Sequence, residues 1–136
     1  MARTQRALDR TLFFQALADE TRLRLLHLMG EQEICVCFFV EVLEQPQPYI
    51  SRHLAYLRRA GLVEVRRDGK WMHYRIARSL SEGAAAVLRE ALAWAGDEKA
   101  MRADVKRLTK ACCKPHKFAA LEGAPRPAKV EGTCCA

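Results

Sequence analysis

The six cysteines of this 136-residue chain occur as three pairs, which are Cys35/Cys37, Cys112/Cys113 and Cys134/Cys135. Thiolate sulfur selects soft ions such as copper(I), zinc and cadmium. Trivalent arsenic and antimony follow the same logic and prefer three sulfurs in a pyramid. The thiols could instead be oxidised reversibly, or be buried as ordinary hydrophobic side chains. Soft-ion binding is therefore the first hypothesis, and redox sensing is the second.

The beginning of the chain lacks the continuous apolar block of a secretory signal, and no stretch of about 18 apolar residues could span a membrane. We therefore expect a cytoplasmic protein with no membrane partner, in which thiols stay reduced. Adjacent cysteines such as Cys112 and Cys113 are also poor candidates for bridging each other, because the local geometry is strained. Metal or redox chemistry is thus favoured over a structural disulfide framework.

Four helices are predicted before residue 61 from the spacing of apolar side chains. They are residues 5–18, a helix with Asp19 as N-cap and Gly30 as stop, a short buried helix within 34–43, and residues 48–60 with Gly61 as stop. Pro46 and Pro48 break the chain between the last two. A short helix, a tight turn and a second helix with a polar face indicate a helix-turn-helix.

Two stretches with period-two alternation, residues 62–67 and 71–76, follow directly. Asp68-Gly69 between them is a hairpin-turn signal. A basic hairpin behind a helix-turn-helix is a wing. The predicted fold class is therefore mainly α with a β-hairpin wing (α+β), a winged helix-turn-helix.

A long apolar helix is predicted next, with Ser79 and Glu82 as a capping box and with Gly96-Asp97 as a kink or restart. Its apolar stripe comprises Ala84, Val87, Leu88, Ala91, Leu92 and Ala95, and continues as Met101, Val105, Leu108 and Cys112. Such a stripe beside a small domain indicates a homodimer. We assign residues 1–113 to a DNA-binding and dimerisation domain and 114–136 to a flexible, cysteine-containing tail.

The net charge of +7 and the pI near 9.3 suit a polyanionic partner, most commonly nucleic acid. Between Glu44 and Arg75 there are seven cations and three anions, so the surplus is concentrated in the predicted helix-turn-helix and wing. The N-terminal end of the second helix of such a pair enters the major groove, and basic wing residues reach phosphates or the minor groove. The candidate DNA-binding residues are Gln47, Tyr49, Ser51, Arg52, His53, Tyr56, Arg58, Arg66, Arg67 and Lys70. Arg59, near the end of the same helix, is expected to lie close to the phosphate backbone of the DNA.

Three segments resemble the arsenical-resistance repressors of the ArsR/SmtB family: residues 17–26 (LADETRLRLL), 34–37 (ICVC) and 50–63 (ISRHLAYLRRAGLV). The hairpin at residues 67–76 resembles that family's wing. The resemblance covers about residues 8 to 95. It implies a homodimeric repressor of a detoxification operon that binds operator double-stranded DNA and is released by its inducer.

The resemblance also implies a cysteine site, with one departure. The best-known arsenic sensors of the family have a third cysteine three residues after Cys-Val-Cys, and here that position is Val40. Other members use a cysteine pair near the end of the long helix, which Cys112 and Cys113 resemble. The expected inducer is As(III) or Sb(III), with methylarsenite as a further possibility, and no organic cofactor is expected.

On a regular helix Cys35 and Cys37 would lie about 200° apart, so both face one ion only if a helix begins there. A helix N-terminus would also lower the thiol pKa. A third sulfur must come from Cys112 or Cys113, in the same chain or the dimer mate. Alternatively, Cys112 and Cys113 hold a two-coordinate organoarsenical. Cys134 and Cys135 are secondary candidates in the predicted tail.

The residues leave three alternative functions open. They are a thiol-based redox-sensing repressor, a cadmium-, lead- or zinc-responsive repressor of the same fold, and a DNA protein without regulation. The Asp and His set that zinc-sensing relatives carry at the start of the long helix is missing from residues 81–95. An enzyme is not expected, because the chain has no Cys-x-x-Cys redox motif and no P-loop.

Overall fold

The computed structural model of the protein describes residues 9–113, 121 and 123–127. The elements run in the order α1 (Arg10–Leu17), α2 (Glu20–Met29), β1 (Ile34–Cys35), α3 (Val36–Leu43), α4 (Gln47–Arg59), β2 (Val63–Asp68), β3 (Trp71–Ile76), α5 (Glu82–Ala95) and α6 (Lys99–Cys113). This arrangement is a winged helix-turn-helix, as the sequence predicts.

The first two helices begin at aspartate N-caps. The carboxylate of Asp9 accepts from the backbone N–H of Leu12 at 3.1 Å, and that of Asp19 accepts from Arg22 at 3.0 Å. Each bond satisfies a backbone donor that has no partner inside the helix. Gly30 ends α2 with a φ of 50°, a conformation that favours glycine. The predicted limits of α2 are confirmed, whereas α1 begins at Arg10 within the described residues.

The region predicted as one short buried helix, residues 34–43, divides into two elements. Ile34 and Cys35 form β1, and α3 begins only at Val36. The strand forms because these two residues pair with β3, a contact distant in sequence that local spacing does not reveal. The prediction of a helix was correct for α3 and wrong for its first two residues.

The sheet has the strand order β1-β3-β2, with both pairs antiparallel. Cys35 lies opposite His73, and Asp68 lies opposite Trp71. The hairpin loop therefore consists of Gly69 and Lys70, one residue later than the Asp68-Gly69 signal. Gly69 takes a φ of 60° in this loop.

The C-terminal helical region restarts between α5 and α6 rather than bending as one helix. Ser81 caps α5 by accepting from the backbone N–H of Ala84 at 3.2 Å. The capping box predicted at Ser79 is therefore wrong, because the helix begins two residues later. An ion pair joins α2 to α6. The guanidinium of Arg24 donates two hydrogen bonds of 2.8 Å to the carboxylate of Asp104, which is buried.

Part of the predicted tail lies on the domain. Leu121 is fully buried in the hydrophobic core, and the guanidinium of Arg126 donates to the backbone oxygen of Cys112 at 3.2 Å. This described portion of residues 114–136 packs against the end of α6 instead of leaving it. In the described part of the chain, no helix has the length and apolar character needed to span a membrane.

Candidate functional site

Cys35 and Cys37 meet at the start of α3. Cys35 is the N-cap residue with extended backbone (φ −69°, ψ 142°), and Cys37 lies in the first turn. Because the helix begins between them, their sulfurs are not forced to opposite sides of a helical turn. The thiol of Cys37 donates to the Cys35 sulfur at a distance of 3.1 Å. The condition for both sulfurs to face one ion, a helix start at this point, is met.

The two thiols of this pair differ in acidity. The hydrogen bond from Cys37 lowers the pKa of Cys35 to about 7, and backbone N–H groups of Cys37, Met72 and Val36 act in the same direction against the effect of burial. Donating that proton, together with burial, raises the pKa of Cys37 above its ordinary value. Around neutral pH Cys35 is therefore the member of the pair that loses its proton, while Cys37 keeps its own.

Cys112 is the other described cysteine with a free thiol, at the end of α6. It is fully buried, and burial raises the pKa of its thiol to about 11, with the nearby Arg126 opposing the rise. Cys113 is in a disulfide bond, which differs from the reduced thiol expected at this position. Cys134 and Cys135 lie outside the described residues, so the structure places neither of them.

The described residues of one chain do not bring together a complete metal site. Among residues 9–113, 121 and 123–127, no three His, Cys, Asp or Glu side chains lie close enough together to hold a metal ion. Val40, at the position of the family's third cysteine, is half-buried against the core. The pair at α3 thus offers two sulfurs, and no described residue beside them completes a set of three ligands.

Helix α6 is tied to the helix-turn-helix by Arg107. Its guanidinium donates to the backbone oxygens of Val42 at 2.9 Å and Glu41 at 3.1 Å, near the end of α3. It also pairs with the carboxylate of Glu44 at 3.2 Å. Glu44 has a left-handed backbone conformation and ends α3. Arg107 therefore holds the turn that leads to α4, the second helix of the helix-turn-helix, called the recognition helix below. Sequence spacing gave no signal for this contact, because its partners are 63 to 66 residues apart.

The predicted DNA-binding residues of α4 divide between two faces. Gln47, Arg52 and Arg58 are exposed, as is Arg59, and Ser51 is half-buried. This exposed side carries the donors suited to bases and phosphates. Their role in DNA binding stays a prediction, and their exposure is consistent with it.

Tyr49, His53 and Tyr56 instead face α2. The hydroxyl of Tyr49 shares a 3.1 Å hydrogen bond with Thr21, and the His53 ring lies 3.7 Å from the carboxylate of Asp19. The Arg22 guanidinium stacks 4.0 Å above the Tyr56 ring centroid. These three residues join the recognition helix to α2. A spacing of four and three residues, typical of one helix face, is the signal that could have separated them from the exposed side.

The wing residues also differ from one another. Arg67 and Lys70 are exposed, and the Lys70 ammonium lies 4.8 Å from the Trp71 ring centroid. Arg66 is held by a two-pronged contact with Glu33, whose shortest distance is 2.7 Å. This contact lowers the pKa of Glu33. Glu33 precedes Cys35 by two residues, so the segment that leads into the thiol pair is tied to a candidate DNA contact.

Known proteins are similar to this chain in sequence. The family described as bacterial regulatory protein, arsR family, matches residues 19–65. An arsenical resistance operon repressor of Escherichia coli is 44% identical over 101 residues, which cover 74% of this chain and 85% of that protein. The chain belongs to the ArsR family. As an ArsR-family protein it is a DNA-binding transcriptional repressor and not an enzyme.

Further comparisons agree with ArsR-family membership. An arsenic resistance transcriptional regulator of Pseudomonas putida is 44% identical over 79 residues, covering 57% of this chain and 62% of that protein. A cadmium resistance regulatory protein of Listeria innocua is 38% identical over 63 residues, covering 46% and 53%. The solved homodimeric winged helix-turn-helix domain Mb0332 of Mycobacterium bovis superimposes with a TM-score of 0.55 at 27% identity, covering 73% and 94%. The predicted fold and family are confirmed.

Proposed function

We propose that this ArsR-family repressor controls a metalloid-resistance operon and leaves its operator when trivalent arsenic or antimony binds its cysteine thiolates. The observation that carries the proposal is the pair of sulfurs 3.1 Å apart at the start of α3. One of them has a pKa of about 7, so it is available as a thiolate ligand at neutral pH. The names of the arsenic-resistance relatives support the choice of ion.

The chemistry of the site follows from sulfur donors. When Cys35 and Cys37 bind arsenite, As(OH)3, or antimonite, Sb(OH)3, each new bond to sulfur replaces a bond to a hydroxyl group, which leaves as hydroxide or, with the proton of a thiol, as water. A third sulfur completes the pyramid that trivalent arsenic prefers, and we assign it to Cys112 or Cys113 of the same chain or of a second copy. Cys113 must first be reduced. Methylarsenite needs only two sulfurs, so Cys35 and Cys37 suffice for it, and a reduced Cys112/Cys113 pair is the alternative; Cys134 and Cys135 remain secondary candidates.

The route to DNA runs through the two ends of α3. At its start, Glu33 holds Arg66 of the wing. At its other end, Arg107 of α6 holds the turn before α4. Drawing α6 and the start of α3 toward one ion would displace both contacts. Since a dimer must match half-sites about one helical turn (~34 Å) apart, a small shift of the recognition helices lowers affinity.

A homodimer forms through the apolar surface of α1 and α5. Phe14, Val87 and Trp94 are exposed, with Trp94 at 81% of its surface, whereas most other large apolar side chains among the described residues are buried or half-buried. A cavity of about 540 Å³ lies between α1–α2 and α5–α6, lined by Leu17, Leu23 and Trp94 among others. A second copy would cover this apolar area, as the homodimeric state of the Mycobacterium bovis relative supports.

The test is fluorescence anisotropy of the fully reduced protein on its own upstream DNA, with arsenite, antimonite, methylarsenite, zinc and cadmium as titrants. The variants are Cys35→Ser/Cys37→Ser, Cys112→Ser/Cys113→Ser and, for the secondary candidates, Cys134→Ser/Cys135→Ser. We expect arsenite to release wild type and the Cys134→Ser/Cys135→Ser protein, and to fail with the Cys35→Ser/Cys37→Ser protein. Unaltered release of the Cys35→Ser/Cys37→Ser protein would overturn the proposal.

Two other functions are distinguished by the same assay. A cadmium-responsive repressor is favoured by the Listeria innocua relative, and release by cadmium or zinc but not by arsenite would identify it. A redox-sensing repressor is favoured by the close contact of the Cys35 and Cys37 sulfurs. Release by hydrogen peroxide with every metalloid inert would identify that function.

A further inference from the structure

The described part of the predicted tail contains a turn that folds back on the domain. Leu121 and residues 123–127 are called the C-terminal cover below. The backbone N–H of Ala124 donates to the oxygen of Leu121 at 2.9 Å, and Gly123 has a φ of 77°. Glycine supplies this positive φ at the third residue of a turn without strain. The turn is therefore specified by the residues that form it, and Leu121 at its start is fully buried.

The C-terminal cover contacts the surroundings of Cys112 in two ways. Leu121 and Cys112 belong to one cluster of buried apolar side chains, and neither side chain is accessible to solvent. The guanidinium of Arg126 donates to the backbone oxygen of Cys112 at 3.2 Å. Carbonyl groups in the last turn of a helix have no partner within the helix, and this bond satisfies one of them. The cover thus completes the core and caps the end of α6.

The same cover is held by few contacts. Residues 123–127 form neither helix nor strand, and Arg126 is exposed. A cavity of about 370 Å³ is lined by Pro125 and Arg126 of the cover and by His73 of β3, so the cover is not closely packed on the sheet there. Segments with few buried apolar contacts open locally at a lower free energy than the whole domain unfolds. The cover can therefore open while the helices stay folded.

We propose that the C-terminal cover opens locally and thereby controls the access of thiol-seeking molecules to Cys112. With the cover closed, Cys112 has no accessible surface, so a molecule in solution cannot reach its sulfur. The regulatory consequence rests on the proposed function. If Cys112 supplies the third sulfur, the cover must open before the metalloid site is complete.

The experiment measures how fast N-ethylmaleimide labels Cys112 in the reduced full chain, without metalloid or DNA. All proteins carry Cys113→Ser, so that Cys112 is the thiol labelled at the end of α6, and mass spectrometry of its peptide quantifies the product. The labelling is repeated at urea concentrations below the unfolding transition. Local opening exposes little surface, so its rate depends only weakly on urea, whereas global unfolding depends on urea steeply.

Two variants loosen the cover and one serves as the control. Leu121→Ala truncates the buried contact, and Arg126→Gln removes the guanidinium from the oxygen of Cys112. Lys110→Gln is the control, because it removes an exposed cation from the last turn of α6. Since Arg126 is exposed, its variant stays informative if the substitution of Leu121 impairs folding.

We expect labelling of the native protein roughly a hundredfold slower than of the urea-unfolded chain, about fivefold faster in Leu121→Ala, about twofold faster in Arg126→Gln and unchanged in Lys110→Gln. A native rate equal to the unfolded rate, a rate that rises with urea as steeply as global unfolding, or equal rates in every variant would overturn the proposal. Such a result leaves the proposed repressor function intact, because no metalloid or DNA is present. Loss of arsenite release in the anisotropy assay would likewise leave the cover intact.

Discussion

Cys35 and Cys112 are both fully buried, yet the pKa of one thiol is about 7 and that of the other is about 11. Cys35 lies at the start of a helix, where backbone N–H groups and the thiol of Cys37 donate to its sulfur. Cys112 lies at the end of a helix, where burial dominates. Burial disfavours the charged form at both places, and only hydrogen bonds reverse it. Under the proposed function, Cys35 can act as a thiolate ligand near neutral pH, whereas Cys112 must first be uncovered.

The largest effect is expected when the third sulfur of the proposed site is moved from the end of α6, at Cys112 and Cys113, to α3. Val40 lies one turn after Cys37 on α3. We expect Cys112→Ser/Cys113→Ser to weaken the arsenite response of operator binding at least tenfold, and addition of Val40→Cys to restore it. The measurement is anisotropy against arsenite concentration, with Val40→Ala in the same background as control. Equal responses of the Val40→Cys and Val40→Ala proteins would contradict a three-sulfur site at α3.

The next effect concerns the contact that holds α6, the helix that ends with Cys112 and Cys113, against α2. Asp104→Asn weakens the contact with Arg24 and should lower the free energy of unfolding by about 2 kcal/mol, because the half-buried guanidinium loses its charge-assisted hydrogen bonds to a carboxylate. Urea unfolding of the reduced protein measures this. Glu64→Gln, which breaks the exposed pair with Arg78, should cost less than about 1 kcal/mol. Similar losses in the two variants would show that the α2–α6 contact is no stronger than a surface pair.

The low pKa of Cys35 can be tested directly. Cys37→Ala removes the donor to the Cys35 sulfur while burial remains, so the pKa of Cys35 should rise from about 7 by one unit or more, equal to about 1.4 kcal/mol. Less thiolate is then present at neutral pH. Ultraviolet absorbance of the thiolate against pH, in a background without the other cysteines, reports the midpoint. A midpoint that stays near 7 would assign the acidity to the helix start alone.

The smallest expected effect concerns Arg107, which links α6 to the end of α3. Arg107→Ala removes the bonds from α6 to the end of α3, and we expect about 1 kcal/mol of lost operator affinity, close to fivefold. Lys106→Ala is the control, because it removes the same charge from an exposed neighbouring position. Anisotropy at one fixed salt concentration compares them. Identical affinities would mean that Arg107 acts only through its charge.

Local pattern was sufficient for most of the fold. Asp19 and Gly30 mark the limits of α2 because capping depends on atoms within a few residues of the helix end. Alternation and a glycine located the hairpin to within one residue of its loop. The same reasoning predicted one helix over residues 34–43 and named a helix start at Cys35 and Cys37 only as a condition for a shared ion, so it missed the strand of Ile34 and Cys35.

The division of α4 into two faces shows where that reasoning ends. His53 and Tyr56 have the residue types of DNA contacts, but Asp19 and Arg22 of α2 engage them. Composition cannot assign such a side chain to one face, because the neighbour that decides it comes from elsewhere in the chain. The exposed side of α4 retains Arg52 and Arg58, which the sequence had also selected.

From the sequence alone came the winged helix-turn-helix, the family resemblance and the cysteines as the reactive groups, since these depend on residue type and short-range spacing. Only the tertiary structure decided that Cys35 is the acidic thiol, that Arg107 holds the turn of the helix-turn-helix, and that Arg126 lies at the end of α6. Each of these depends on groups brought together by folding. Hydrogen bonds and pKa values are set by atoms a few ångströms away in space, however distant they are along the chain.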